Sequence, residues 1–489
     1  MITRFLKQST PCLVARSGSG SVPWTGLALD LVTLESSAGA GDAPGSLRAS
    51  SGTVPDANGV WRFRDADQHR VWGADYSGGD PALPVGVTTT TVFGKPWLDS
   101  WAVGLLLEPA STNHFRYSDD VTGGSGDKYT LNGWFNPTSF EQYNGTGLYG
   151  ETNPYLGRLF DDTTTSLKQA GNTYLKPDIT GFATLSVSFF HRLESGATHA
   201  IRYYSATSNG STCTVAMPPC AGTVVTVNPD KLRLRTVGNW RRLCLASNDP
   251  RDNTSWYLLL YCANGQAATP NTTDYLATGA LVWTGMQVEE RPSVTTPIPT
   301  AGAPVSRASE AGRVRWVRQG RLDPAAGTLL IQFELPFVGS HPWVNALTDT
   351  TSRLGLVSVT GTADSLLWFN FSDKTLKAGT AAAPASVSCT HPVNLWPGLT
   401  YTLSDDLTSA RGVMAAVRWD AAEGVIQVGW RRQGNATWTW STPVPYAGEL
   451  AAGDGYITLG AGIEHSLIIH NLVVLDSARS TAEIEGALA

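Results

Sequence analysis

General acid–base work on a sugar needs two carboxylates held on either side of the scissile bond. The acidic residues of this chain do not offer such a pair locally. Asp119-Asp120, Asp161-Asp162 and Asp405-Asp406 are adjacent, and neighbours in an extended chain point to opposite faces. They read as turn residues, with a loop calcium site as the other reading. Glu334 and Glu464 stand alone, and only carboxylates gathered from distant strands would escape this test. His465 and His470 are five apart, on opposite faces of a strand, which disfavours a shared metal; they read as surface or end-of-strand residues. There is no GxSxG elbow, HExxH, phosphate loop, or GxGxxG after a strand. Cys12, Cys213, Cys220, Cys244, Cys262 and Cys389 show neither CxxC nor zinc-type spacing. Cys244 and Cys262 fall in apolar runs as small hydrophobes. Cys213 and Cys220 flank a Met-Pro-Pro tip and read as free thiols that would pair if exposed to oxidant. The expectation is a chain without catalytic residues, metal or cofactor, and not an enzyme.

The aromatic residues carry a different chemistry. Asn435-Ala-Thr-Trp438-Thr-Trp440 puts two indoles on one face of a strand. An exposed pair would stack on the apolar C–H faces of sugar rings, and a pair turned inward would be core. Trp134, beside Phe135, and Tyr143, at the start of a Gly/Asn/Tyr-rich run ending at Tyr155, sit in what reads as a long loop. Such a loop supplies adaptable contacts, or simply an exposed β-connection. Trp438, Trp440, Trp134 and Tyr143 are the candidate glycan-stacking residues.

The elements that must position these side chains are strands. Of 489 residues 16% are charged, 50 are Gly and 28 are Pro, and only 8 of the 35 basic residues are Lys. Soluble domains average about 25% charge, and helix faces in water are built on Lys and Glu. The composition excludes a coiled coil, a helical bundle and a charged disordered tail. A net charge of −6 gives no footprint for nucleic acid. The cluster Arg313 to Arg321 alternates like a strand with a basic face. No apolar run reaches the ~20 residues of a membrane helix, and the first ten residues lack a signal-peptide core. Synthesis and folding in a cytoplasm are expected.

Strand patterns fall into zones, giving an all-β chain of tandem antiparallel β-sandwiches, of jelly-roll type, behind a β-rich N-terminal region. Residues 1–118 are turn-rich, with strand-like Val71-Trp72 and Gly104 to Glu108. Residues 119–291 carry a series including Ala183 to Leu193, Trp240 to Leu245 and Leu281 to Val288. Residues 292–310 form a linker: the stretch Arg291 to Glu310 holds four prolines in twenty residues, which prevent ladder pairing. Residues 311–489 form a second sandwich, including Thr328 to Leu335, Gly412 to Trp419 and Ser466 to Leu475. Ser480-Thr-Ala-Glu483 is a capping box with Ile484 and Leu488 behind it, predicting one short helix over an open end of that sandwich.

Two stretches narrow the reading. Gly104-Leu-Leu-Leu-Glu-Pro-Ala-Ser-Thr-Asn113, followed by Arg116-Tyr-Ser118, resembles the "LLxEPARTN…YS" segment of bacteriophage structural proteins. Trp283-Thr-Gly-Met-Gln-Val-Glu-Glu290, Thr296-Pro-Ile-Pro-Thr300 and Val305-Ser-Arg307 resemble that family's "xxGAQxEEGxxxTSYIPTxGxxxTR" ending. Ser111 departs from the usual Arg and Pro297 from the usual Tyr. The stretch between them, with Gly238-Asn-Trp-Arg-Arg242, is similar to carbohydrate-binding-module-like jelly rolls. Gly327 to Glu334 and Leu472 to Ile484 resemble the two ends of a concanavalin/laminin-G-like lectin sandwich, without its ligand motif. Residues 1–10 are faintly similar to docking domains of phage virion proteins.

The resemblance implies a non-catalytic virion protein assembled in a bacterial host's cytoplasm. It would sit against other virion proteins as a homo-oligomer, a trimer by preference, with no nucleic acid and no membrane insertion. A tail fibre or baseplate appendage touching host-surface polysaccharide is one expectation. A capsid decoration or head fibre, and a polysaccharide-degrading tailspike, are the alternatives.

Overall fold

The computed structural model of the chain describes residues 52–116, 118, 140–161, 279–310, 323–336, 353–389, 412–450 and 456–489, apart from isolated positions. It also describes the short strands at 27–28, 45–46, 169–172, 185–195, 200–203, 225–227, 236–237, 240–247, 258–263 and 312–315. The described fold is all-β with antiparallel strand pairing, plus the single helix Thr481–Ala487.

The last sandwich is built on a run that is apolar on both faces. Ala326–Glu334 is buried along nearly its whole length, as befits a central strand covered on both sides. It lies between Val413–Asp420 and Leu467–Leu475. Leu329, Ile331 and Phe333 point inward and meet Leu354, Leu367, Phe369, Leu376 and Leu459 of a facing seven-stranded sheet. Leu330 points outward, into a second cluster with Trp97, Met414, Ala416, Trp438, Val473 and Ile484. The hairpin Thr89–Val92/Lys95–Leu98 supplies Val92 and Trp97 to this outer layer. The expected capping box forms: Ser480 accepts from the Glu483 amide, and Glu483 returns the bond to Ser480 N at 2.8 Å. The helix, however, covers the outer face of the sheet rather than an open end. Ile484 and Leu488 find their apolar partners on Leu330, Val473 and Leu475 there.

Strand pairing crosses the boundaries read from the sequence. The nine-stranded sheet holds Gly104–Leu107, Val71–Trp72 and Leu27–Ala28 of the N-terminal region, and Gly45–Ser46 joins the facing sheet through Gly312–Arg315. The cause is in Gly104-Leu-Leu-Leu107, whose four residues are all buried. Such a strand needs cover on both faces, and Leu467–Leu475 supplies its pairing edge. Close approach is needed at Gly104, where a Cβ would lie 2.7 Å from the Ile469 carbonyl oxygen.

The middle unit has a six-stranded sheet ordered Phe140–Thr146, Thr152–Asp161, Gly279–Glu289, Leu185–Ser195, Trp240–Ser247, Thr236–Val237, and a separate four-stranded sheet. The run from Tyr143 to Tyr155, expected as a loop, is mostly hairpin: Tyr143 pairs with Leu156 across Phe140–Thr146 and Thr152–Asp161, with a bulge before Gly145. The bulge absorbs the Asn-Gly that read as loop. Trp61 is the pin between units. Fully buried, it meets Trp72 edge-on at 5.9 Å and Phe190 of the middle unit at 5.5 Å.

Candidate functional site

The two stretches that carry the family resemblance converge on one buried polar cluster. Prolines deny the segment 294–300 a ladder, yet it is almost wholly buried, so its backbone N–H groups must find other acceptors. Thr295 N donates to Glu289 Oε2 at 2.9 Å and Thr296 N to Glu108 Oε1 at 2.6 Å. Ile298 N donates to Gln287 Oε1 at 2.8 Å and Thr300 N to Ser118 Oγ at 2.9 Å. The linker expected from the prolines is thus a structural spine, solvated by side chains instead of water. Glu108 also accepts from Arg70 Nη1 at 2.7 Å, from Thr296 Oγ1 at 2.6 Å and from Ser466 Oγ at 2.9 Å, and lies 2.8 Å from Arg307 Nη2. Glu310 grips Arg70 through both of its oxygens. The cluster ties the N-terminal region, the spine and the last sandwich together. Its carboxylates are buried and neutralised by guanidinium groups, so Glu108 and Glu310 are not placed to exchange protons with a substrate.

The aromatic candidates lie on the outer face of the last sandwich. Trp438 and Trp440 stack with centroids 5.4 Å apart and planes at 19°. Trp438 is 8% exposed and belongs to the outer-layer core, while Trp440 is half-buried and donates from Nε1 to Glu485 Oε1 at 2.8 Å. Gly429 makes the arrangement possible, since a Cβ there would lie 2.4 Å from the Trp440 ring. Gly429→Val is therefore expected to expel Trp440 and destabilise the fold by about 1–3 kcal/mol. Near-ultraviolet circular dichroism and a denaturation curve report both effects.

Beside the pair opens a pocket of about 270 Å³, walled by Trp101, Met414, Arg431, Arg432 and the turn Gln433-Gly434-Asn435-Ala436. Trp101 lies over Gly412, where a Cβ would be 2.1 Å from its ring, and meets His470 edge-on at 5.2 Å. The turn is pinned at its base, with Gln433 N donating to Gly412 O at 2.9 Å and Gly412 N to Gln433 Oε1 at 3.1 Å. Gly434 takes φ +80, a left-handed conformation that glycine adopts without strain. Arg431 gives Nη2 to the Leu488 carbonyl, and its guanidinium lies 5.6 Å from the Trp438 ring.

Of the other candidates, Trp134 lies outside the described residues. Tyr143 is half-buried, packs on the Trp61 cluster and has Arg158 over its ring at 5.9 Å. His465 and His470 are not surface residues: both are fully buried. His470 binds the Val103 carbonyl through Nδ1 at 2.7 Å, because the strand Gly104–Leu107 covers it, and His465 lies 4.3 Å from the Phe371 ring. Cys389 is buried and forms no disulfide among the described residues. Cys213, Cys220, Asp119-Asp120 and Asp405-Asp406 lie outside the described residues. Among the described residues no group of His, Cys, Asp or Glu is arranged to hold a metal, and no helix is long and apolar enough to cross a membrane. Sequence reasoning missed Trp101, Arg431 and Arg432. The run Arg431-Arg-Gln-Gly-Asn435 was the signal available for the turn, and nothing local marks Trp101 as its neighbour. It also missed Phe63, which is 57% exposed and rests on Tyr149 at 4.6 Å.

No protein-family model matches the chain, and no curated protein does. Among solved structures it is similar to a GH54 α-L-arabinofuranosidase soaked with a cyclic sulfate inhibitor, at 10% identity and TM-score 0.22, covering 62% of this chain and 60% of that one. It is also similar to the exoplasmic/lumenal domain of VIP36 in its Ca2+-bound form, at 8% identity and TM-score 0.13, covering 76% of this chain and 92% of that one. The chain spans less than two thirds of the arabinofuranosidase's length. Likenesses this slight carry no argument about activity or ligand.

Proposed function

We propose that the chain is a non-catalytic structural protein of a bacteriophage virion, of the tail-fibre or baseplate type, that contacts host-surface glycans. The observation that supports this most is the convergence of the resemblance-bearing stretches. Glu108 and Thr296 are 188 residues apart in sequence yet hydrogen-bonded at 2.6 Å, and Asn113, Gln287, Glu289 and Arg307 are buried around them. Short similarities that arose by chance would have no reason to assemble into one interlocked unit. A sealed polar keystone also suits a particle component that must keep its shape outside a cell. Glycan contact is the reading favoured by the open, Trp-walled pocket with amide and guanidinium donors, a mix that suits a sugar's apolar face and hydroxyls.

Two measurements test the proposal. Purified protein added to host cells before phage should slow adsorption, and gold-labelled antibody against the chain should decorate tails. Label on heads alone would make it a capsid decoration protein, and particles bearing no label would end the virion reading. Undiminished adsorption at saturating protein would overturn the glycan-contact role.

A further inference from the structure

We infer that the pocket between Trp101 and the Gln433–Ala436 turn is a subsite for one neutral hexopyranose, stacked on Trp101. The inference rests on the glycan-contact reading and adds the class of sugar and the residue that carries it. The neighbouring indoles are already engaged. Trp438 and Trp440 stack on each other, Trp440 lies against Gly429, and the Arg431 guanidinium stands over the Trp438 ring. Trp101 is held differently. Its six-membered ring lies over Gly412, and His470 meets it edge-on. The chain that follows it is pinned, with Ala102 N donating to Ser100 Oγ at 3.0 Å and His470 Nδ1 to Val103 O at 2.7 Å. The rest of the half-buried indole forms the pocket wall. An aromatic wall fixed before the ligand arrives needs little further ordering on binding.

Strand register sets the rest of the lining on the same face. Met414 pairs with Arg431, and Gly412 is joined to Gln433 by two hydrogen bonds. Gly412 and Met414 are two residues apart along one extended chain, Arg431 and Gln433 along its neighbour, so all four share the face that Trp101 covers. Met414 adds apolar surface to the indole. Gln433 Oε1 accepts from the Gly412 amide, which fixes the side chain and keeps its N–H groups as donors. Arg431 gives one N–H to the Leu488 carbonyl and has others for hydroxyls. Indole and thioether suit the C–H face of a sugar ring, and the amide and guanidinium suit its rim. No carboxylate is among the described lining residues, so a cationic amino sugar finds no partner. A chain of net charge −6 repels an anionic polysaccharide at long range. The ligand that fits is neutral. At about 270 Å³ the pocket falls below the ~300–1,000 Å³ that encloses a drug-sized ligand, so it holds one ring of a longer glycan.

The experiment is calorimetric titration of the full chain with the methyl glycosides of glucose, galactose and mannose, in both anomers, beside their uronate and 2-amino counterparts. At least one neutral glycoside should bind, with little dependence on salt, and more tightly than either charged counterpart. Trp101→Ala should lower that affinity about tenfold or more, and Trp101→Phe should restore part of it. Gln433→Glu keeps the acceptor for the Gly412 amide but loses the donors. It should lower the affinity about three- to tenfold with no loss of melting temperature, which carries the test should Trp101→Ala fail to fold. Tighter binding of a charged counterpart, indifference to either position, or no neutral binding up to about 10 mM, past the weak end of specific recognition, would overturn the inference. If the protein nonetheless slows adsorption, the glycan-contact function stands and only this subsite falls. If a neutral glycoside binds through Trp101 and adsorption is untouched, the subsite stands and the adsorption role falls.

Discussion

Replacing Glu108 with glutamine is expected to cost the fold about 3–5 kcal/mol, the range for removing one charge from a buried pair. The side chain has no exposed surface. Its two oxygens face only donors: Arg70, Arg307, the amide and hydroxyl of Thr296, and the Ser466 hydroxyl. Glutamine has nearly the same shape but turns an acceptor into an NH2 group aimed at other donors. It also removes the carboxylate that Arg70 and Arg307 share, leaving Arg70 its pair with Glu310. Chemical denaturation of wild type and variant checks the figure; a loss under about 1 kcal/mol would mean that the cluster admits water.

The same carboxylate sets an acid limit. Burial by itself raises the Glu108 pKa, but Arg307 and Arg70, with the Thr296 hydroxyl and amide, overcome it and hold the value at about 2, against an ordinary 4.5. A carboxylate depressed in the folded state contributes stability that is complete above its unfolded value. That contribution drains away as pH falls from about 4.5 toward 2. Wild type should lose stability across that window more steeply than Glu108→Gln, which has no proton to take up there.

Asn113→Asp should be worse than Asn113→Ala, although aspartate is nearly isosteric. Asn113 is wholly buried and uses both ends of its amide. Nδ2 donates to Ile298 O at 2.8 Å and Met286 O at 3.2 Å, while Oδ1 accepts from Phe115 N at 3.0 Å and Val288 N at 3.1 Å. Alanine leaves these four main-chain groups unpaired, at about 1–3 kcal/mol for each one that stays dry. Aspartate keeps the acceptor but sets an ionised oxygen against two carbonyls with no cation called for. Thermal melts should rank wild type above alanine above aspartate, and the aspartate variant should recover toward alanine as acid protonates it. An aspartate variant as stable as wild type would show that the site relaxes to admit a counter-charge.

Periodicity revealed strands and left their partners hidden. Thr328 to Leu335 and Ser466 to Leu475 are legible because their apolar runs match the strands Ala326–Glu334 and Leu467–Leu475 nearly residue for residue. The helix is legible because a capping box is a local device. Gly104 to Leu107 is equally legible as a strand, but its pairing with residues 467–469 is decided by long-range burial that no local pattern encodes. The prolines after Arg291 correctly exclude a ladder. Their burial depends on Glu108, Gln287 and Glu289 standing ready as acceptors, which only the folded chain reveals. The candidate site was half visible: Asn435 to Trp440 lies at its border, while Trp101 arrives from another part of the sequence. A turn of Arg, Gln, Gly and Asn looks like any surface turn until Trp101 is found beside it.

The pairing of Gly104–Leu107 with Leu467–Leu475 also sets a timetable for synthesis. The hydrogen bond from Leu98 N to Asn471 Oδ1, 2.7 Å long, closes across 373 residues. An emerging chain therefore carries one edge of Gly104–Leu107 without its partner strand through most of its translation, although Val71–Trp72 already pairs the other edge, and non-local pairings of this kind form late. A chain halted before residue 467 keeps an open, apolar sheet edge, the sort of surface that aggregates or is seized by chaperones and proteases. Only a chain translated through Leu467–Leu475 can bury that edge, so this strand sets the point in synthesis from which the sheet can close.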